Sequence, residues 1–408
     1  MMPAWLTPRL RLTLSTLGIA QIINWGVLYY TLALIGPHIV RETGWSDEFV
    51  YSGFGVATLV TGLLAPVSGA GIDRFGGLPV MVAGTLIGAL GTALLAISHT
   101  PALYLVAWAI MGAGMSACLY DSAFAAIARF AGSATRKSIS LVTLIAGFAS
   151  TVIWPLTSAL LTLFEWRGVC LIDAALIACV SAPMLIISLR GTNNPAPLPT
   201  ISADHDVGSL PNIQGQLLAE KHFSGAMVLF AIVLTSLGFV ANALSVHVIT
   251  LFQSLGIDAA SAILAGSLIG PAQVGARILE LAFGRRLSAM GLGMVPVILM
   301  PLAFSIPLLL TSTSSVAILF GVVYGAANGL ATIARGVVPY ALFGPNGYGR
   351  RLGLITAPTL LVKATSPAIF AAIMAGFGPL SALVFVLCIS LFATLAMMGL
   401  IWLVRRYS

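Results

Sequence analysis

Charge is what this 408-residue sequence has least of: Asp, Glu, Lys and Arg together make up 8% of it, against about 25% in soluble globular domains. So few charges cannot solvate the surface of a chain this long, and water is excluded as its main solvent. Cysteine is also scarce. The four present, Cys118, Cys170, Cys179 and Cys388, share no metal-ligand spacing and build no disulfide framework, so they are expected to act as small apolar packing residues. No Gly-x-x-x-x-Gly-Lys-Ser/Thr string occurs, which removes nucleotide hydrolysis as an energy source. No His/Asp/Glu metal constellation and no nucleophile with a nearby base stand out, and no appended soluble domain is expected. An enzyme or a membrane sensor is therefore not expected, and no cofactor is called for.

What the chain has instead is 59% hydrophobic residues in long runs. About 20 apolar residues span a bilayer as a helix. Twelve such runs are read at 10–36, 50–70, 79–97, 101–128, 138–163, 168–190, 223–253, 259–283, 292–312, 314–343, 351–376 and 378–404. A transmembrane barrel would show segments of about ten residues with alternating polarity, and runs such as Val384-Phe385-Val386-Leu387 do not alternate. The first run is long enough to span and has no cleavage pattern after it, so no signal peptide is expected.

The net charge of +7 is distributed by loop and forms no patch for nucleic acid. With the N-terminus in the cytoplasm, fourteen of the nineteen basic residues fall on that side: Arg9, Arg11, Arg74, Arg129, Arg136, Lys137, Arg190, Lys221, Arg285, Arg286, Arg350, Arg351, Arg405 and Arg406. Only Arg41 and Arg167 fall opposite, in loops that carry Glu42, Asp47, Glu48, Glu165 and Asp258. This asymmetry is the positive-inside pattern, and it places both termini and the central loop in the cytoplasm.

Residues 191–222 form a polar, Pro-rich linker between an N-terminal part, 1–190, and a C-terminal part, 223–408. A shift of about 212 residues brings the two parts into register. Gly44-Trp45-Ser46-Asp47 falls on Gly256-Ile257-Asp258, where Ser or Asp can cap the incoming helix. Gly112-Ala113 falls on Gly325-Ala326, Asp73-Arg74 on Arg285-Arg286, and Pro155 on Pro367.

Two six-helix repeats with this linker describe the major facilitator architecture. The segment Gly69-Ala70-Gly71-Ile72-Asp73-Arg74-Phe75-Gly76 resembles that family's signature in the loop after the second helix, Gly-x-x-x-Asp-Arg-x-Gly. The resemblance implies an all-α membrane protein of twelve helices in two pseudo-symmetric six-helix bundles. It also implies a monomeric bacterial inner-membrane carrier that moves a small solute by alternating access. Gly69, Asp73, Arg74 and Gly76 would form its gating motif, in which Asp and Arg at a helix end latch one conformation. Gly77-Leu78 departs from the fuller pattern, and the second copy, Gly284-Arg285-Arg286, lacks the Asp, which makes the latch one-sided.

At a finer level, Gly44-Trp45-Ser46, the 64–69 run and Glu165-Trp166-Arg167-Gly168 resemble bacterial relatives of monocarboxylate transporters and oxalate/formate antiporters. Gln273-Val274-Gly275-Ala276-Arg277 is similar to their eighth-helix segment, in which an acid and an arginine serve proton coupling and carboxylate binding. The arginine is present, but Gln273 stands where the acid would be. The lysine of the first helix also has no counterpart, since that run offers Asn24, Tyr29 and Tyr30.

Charges inside a membrane are costly and point to function. Arg277 is the leading substrate residue, because a guanidinium grips a carboxylate through two parallel hydrogen bonds. Glu280 lies three residues on, where it can pair with Arg277 or carry a proton. Arg335 and Lys363, the latter between Pro358 and Pro367, add positive charge to the second half. Asp121, flanked by Tyr120 and Ser122, is the other proton-site candidate. Asn24, Tyr30, Asn242 and Gln273 complete the candidate substrate residues, while His247 reads as a packing residue. Trp45 and Trp166 read as interface anchors, and Asp173 as the partner of Arg167. The favoured expectation is a small organic anion such as a monocarboxylate, coupled to a solute or proton gradient. The rival is an efflux carrier for a toxic solute or drug. The fifth-helix run from Gly147 to Pro155 lacks the denser glycine pattern resembling drug/proton antiporters.

Overall fold

In a computed structural model of the chain, residues 6–192, 218–310 and 313–407 are described. Twelve helices in it are long and apolar enough to cross a membrane. They are α1 (Pro8–Thr43), α2 (Asp47–Phe75), α3 (Gly77–Ala96), α4 (Pro101–Phe130), α5 (Gly132–Leu161), α6 (Trp166–Leu189), α7 (Glu220–Ser254), α8 (Ala259–Phe283), α9 (Ala289–Leu309), α10 (Ser314–Phe343), α11 (Tyr348–Phe377) and α12 (Pro379–Tyr407). All twelve expected runs are present. The centre of the expected linker, 193–217, lies outside the described residues.

Local chemistry sets the ends. Thr7, Ser46, Thr100, Asp258, Ser288 and Thr313 each accept a backbone N–H of the first turn that follows, satisfying donors that a helix start leaves open. Gly44 and Gly256, 212 positions apart, both take positive φ, 70° and 85°, so the turn before α2 is repeated before α8. Two helices run further than expected. α1 continues to Thr43 with Pro37 inside it. α2 continues to Phe75, so Asp73 and Arg74 occupy its last turn and not a loop, and Gly76 ends it at φ 89°.

The chain divides into two compact units, one of residues 1–202 with 345–357, the other of 203–344 with 358–408. Within the first, Gly112 of α4 lies against the Ala57 carbonyl of α2; a Cβ on Gly112 would come within 2.3 Å of that oxygen. Within the second, Gly325 of α10 lies against the Ile269 carbonyl of α8, with the corresponding distance 2.5 Å. Ala57 and Ile269 are also 212 apart, so the repeat seen in the sequence is a repeat of backbone packing. Small residues permit such approach where lipid supplies no hydrophobic drive between helices.

Cys118 and Cys170 are buried as expected, but Cys179 and Cys388 are exposed. Trp166 is not an exposed anchor: it is 2% exposed, and its indole N–H donates to the Glu42 carboxylate. Arg167 bonds Glu42 as well, at 2.8 Å, and the Ala96 carbonyl at 2.7 Å. The expected Arg167–Asp173 pair is therefore replaced by a contact 125 residues away in sequence.

Candidate functional site

In the second unit, three helices present one face each to a common cavity of about 100 Å³. Leu234, Leu237, Gly238 and Ala241 come from α7, Asn328, Ala331, Thr332 and Arg335 from α10, and Thr359 and Lys363 from α11. The α7 and α10 sets follow the i, i+3, i+4, i+7 spacing of a single helix face. The α7 residues of the lining are apolar, and the polar side chains come from α10 and α11. Lys363 is fifteen residues from the start of α11, about 22 Å at 1.5 Å per residue.

Proline explains how α11 is held there. Pro367 has no N–H to give the carbonyl four residues back, which is that of Lys363. Asn242 of α7 supplies the missing donor, its Nδ2 lying 2.7 Å from that oxygen, and Ser366 Oγ donates to it at 3.1 Å. Asn242 thus fastens the backbone of the cavity lysine. His247 follows one turn later, its Nε2 3.1 Å from the Pro367 carbonyl.

Arg277 does not line the cavity. It is 5% exposed, and its Nη2 lies 3.4 Å from Thr332 Oγ1, a cavity hydroxyl, with Nε 3.5 Å from the Gly329 carbonyl. Glu280, 7% exposed, is one turn further along the same helix. Gln273 contributes backbone, its carbonyl receiving the close approach of Gly329. Asn328, Thr332 and Thr359 are cavity residues that the sequence reading passed over. The signal was available in the four- and three-residue steps from Asn328 through Thr332 to Arg335.

In the first unit, α1 contains a π-helical turn, Gly26–Tyr30. Its wider turn swings Tyr29 and Tyr30 toward Trp25, with ring centroids 5.0 and 6.4 Å away. Tyr120 lies tilted against Trp25 at 4.8 Å, Phe54 meets Tyr29 edge-on at 4.8 Å, and Trp154 meets Tyr30 edge-on at 6.0 Å. Trp154 Nε1 also donates to the Tyr30 carbonyl at 3.2 Å. Asp121 adjoins this cluster, in the first turn of the α4 segment that restarts after an extended Leu119. Asn24 is fully buried and turned to packing, donating to Thr85 at 3.2 Å and accepting from Ser181 at 2.7 Å.

The signature residues meet the start of α11. Both oxygens of Asp73 accept backbone N–H groups, of Gly349 and Arg350, each at 2.9 Å. Gly69 faces the Gly349 carbonyl so closely that a Cβ would lie 2.0 Å from it, and Gly353 faces Ala65 likewise at 2.4 Å. Arg129 of α4 donates to the Ile72 and Asp73 carbonyls that α2 leaves open at its end. Arg74 takes no part, being exposed with its guanidinium 4.9 Å from the Phe75 ring.

Residues 17–280 match the sequence model of the Major Facilitator Superfamily. The chain belongs to that superfamily. It is accordingly a multi-pass membrane transporter of the secondary type and not an enzyme. Among curated proteins it is similar to the multidrug resistance protein MdtH of Aeromonas salmonicida (strain A449), 28% identical over 197 residues, 48% of this chain and 46% of that protein. MdtH of Klebsiella pneumoniae subsp. pneumoniae is 30% identical over 155 residues, 38% of each chain. The chain thus matches less than half the length of these relatives. Among solved structures, the human organic anion transporter MFSD10 (TETRAN) superposes with TM-score 0.70 at 15% identity, covering 96% of this chain and 100% of that one. The proton:xylose symporter XylE superposes with TM-score 0.70 at 14% identity, covering 95% of each. At such identities the likeness is one of fold.

Proposed function

We propose that this superfamily member carries a small organic anion, of the monocarboxylate class, across a bacterial inner membrane by alternating access, as a monomer with both termini in the cytoplasm. The observation that supports it is the second unit's cavity, where Arg335 and Lys363 share a wall with Asn328, Thr332 and Thr359. Intramembrane cations are costly to keep, and a carboxylate offsets that cost while accepting from the hydroxyls and amide. A cavity of about 150 Å³ takes a benzene ring, so about 100 Å³ suits an anion of few heavy atoms. Arg277 acts from behind, fixing Thr332, and Asn242 holds the Lys363 backbone. Gln273 shapes the seam between α8 and α10, and Asn24 ties α1 to α3 and α6. Protons couple the cycle through Asp121 and Glu280. Asp73, between Gly69 and Gly76, is the latch that must release the start of α11, while Arg74 acts only through the loop charge.

A second reading, export of toxic solutes, is favoured by the multidrug resistance relatives and by the aromatic cluster around Trp25 and Tyr30, whose faces suit flat or cationic compounds. Thermal unfolding of purified protein separates the two. Ligand at 100 times its Kd stabilises by about 2.7 kcal/mol. Stabilisation by monocarboxylates that disappears in Arg335→Ala and Lys363→Ala supports the anion carrier. Stabilisation by organic cations or neutral solutes, unchanged in both variants, replaces it with the exporter.

A further inference from the structure

Asp173 is the buried acid that neither reading uses. It lies on α6, is 1% exposed, and its Oδ2 has no hydrogen-bond partner. The Thr31 side chain of α1, itself 3% exposed, adjoins its carboxyl group. Arg167, the one basic residue within α6, is engaged with Glu42 and the Ala96 carbonyl. Among the described residues no cation pairs with it. α3 has no titratable residue, and neither has the 149–161 part of α5. The facing part of α1 carries Tyr29 and Tyr30 on its π turn, and His38, Arg41 and Glu42 nearer its end. On α6 itself the titratable neighbour is Cys170, one turn before. A carboxylate shut into such surroundings without a cation is strongly disfavoured, whereas a carboxylic acid fits them.

The location adds a second argument. Thr31 closes the π turn of α1, its N–H bonding the Gly26 carbonyl at 3.0 Å and its hydroxyl the same oxygen at 3.2 Å. α6 has a π turn of its own, Ile177–Ser181, and Ser181 bonds Asn24 at 2.7 Å, just before the α1 turn. The α1–α6 seam therefore carries two π turns bracketed by Asn24–Ser181 and Thr31–Asp173, and π turns gather at functional sites. Thr31 has a single hydroxyl hydrogen. Given to Gly26, as here, it leaves the Thr31 oxygen to accept from a protonated Asp173. An ionised Asp173 would instead draw that hydrogen to itself and withdraw it from the π turn.

We propose that Asp173 is a proton-binding site of the transport cycle, holding a proton as a neutral acid against Thr31 and exchanging it with water when the α1–α6 seam opens. The proton arrives from water and returns to water, with no other bond made or broken. Its state is passed through Thr31 to the π turn that aims Tyr29 and Tyr30. The proposal rests on the chain being a transporter and not on which solute it carries.

The test is infrared difference spectroscopy over a pH titration of the full chain in lipid nanodiscs. The wild type is expected to show a carboxylic-acid carbonyl band at neutral pH that is lost in Asp173→Asn, kept in Asp121→Asn and Glu280→Gln, and shifted in Thr31→Val. Trp25, with Tyr29 5.0 Å away, supplies a fluorescence step at the same pH, absent in Asp173→Asn. An unchanged band in Asp173→Asn overturns the proposal, as does a signal that follows sodium and not pH. Failure of Asp173→Asn to fold overturns it too, because the amide replaces a neutral acid isosterically. Loss of anion stabilisation in Arg335→Ala or Lys363→Ala bears on the substrate reading alone.

Discussion

Removing the Asp73 side chain should loosen the start of α11. The carboxylate accepts from Gly349 and Arg350 at 2.9 Å each, which makes it the N-cap of α11 supplied by another helix. A helix start leaves its first N–H groups open and carries partial positive charge. Arg350 and Arg351 in that first turn add more of the same sign. Loss of an N-cap side chain costs about 0.5–2 kcal/mol. Each hydrogen bond to a charged group contributes about 1.5–3 kcal/mol, a figure reduced here because Asp73 is only partly buried. The expected loss in Asp73→Ala is thus about 1–2 kcal/mol, which multiplies opening of that turn roughly 5- to 30-fold. Amide hydrogen exchange of the peptide containing Gly349 and Arg350 reads this directly. Asp73→Asn keeps a capping oxygen and should accelerate exchange less. Wild-type exchange in Asp73→Ala would refute the reasoning, since the amides would then be protected without the carboxylate.

Asn242→Ala should lower stability by about 1 kcal/mol, the Lys363 carbonyl then keeping the Ser366 hydroxyl as its donor. Pro367→Ala restores an N–H to that oxygen, so the double variant should lose less than the sum in a thermal double-mutant cycle. Gly329→Ala drives a Cβ to 2.5 Å from the Gln273 carbonyl and should cost about 1–3 kcal/mol. Gly275→Ala meets nothing within 4 Å and should gain up to about 1 kcal/mol in thermal stability. The Glu42–Arg167 pair, partly exposed on the Glu side, should show a coupling of no more than about 1 kcal/mol, shrinking with added salt. Asp258 is held below the usual carboxylate range by the Ser261 N–H it caps. Its cap is therefore complete above the unfolded carboxyl's range and is lost only as pH falls through the lowered folded value. The protection factor against amide exchange at the start of α8 should fall in acid and stay flat from neutral to alkaline pH.

The twelve spans were legible because their signal is the solvent itself: a run of about 20 apolar residues has few other uses. The repeat was legible through residues that cannot be replaced cheaply, such as Gly44 and Gly256 at positive φ and Gly112 and Gly325 under a facing carbonyl. Helix ends were less so. Asp73 and Arg74 read as loop because charge and glycine cluster there, yet Arg129 secures the carbonyls that let α2 run to Phe75.

The candidate site was legible as a set of residues but not as an arrangement. Arg277, Arg335 and Lys363 are alike in sequence, each a cation in an apolar run, and what separates them is the rotation of each helix about its axis. That rotation is set by neighbours. Gly321, Gly325 and Gly329 press one stripe of α10 against the Ala265, Ile269 and Gln273 carbonyls of α8, which turns Asn328, Thr332 and Arg335 to the cavity and leaves Arg277 behind Thr332. The four-residue glycine spacing on α10 carried this information, because the face that packs fixes the face that opens. Asp173 escaped for the opposite reason. Arg167 lies six residues from it in sequence, but Glu42 offers Arg167 a carboxylate at the helix end where water still reaches, at lower desolvation cost than one buried to 1%. Proximity in sequence suggested a pair, burial decided against it, and the acid so left without a cation is the one whose protonation is open to measurement.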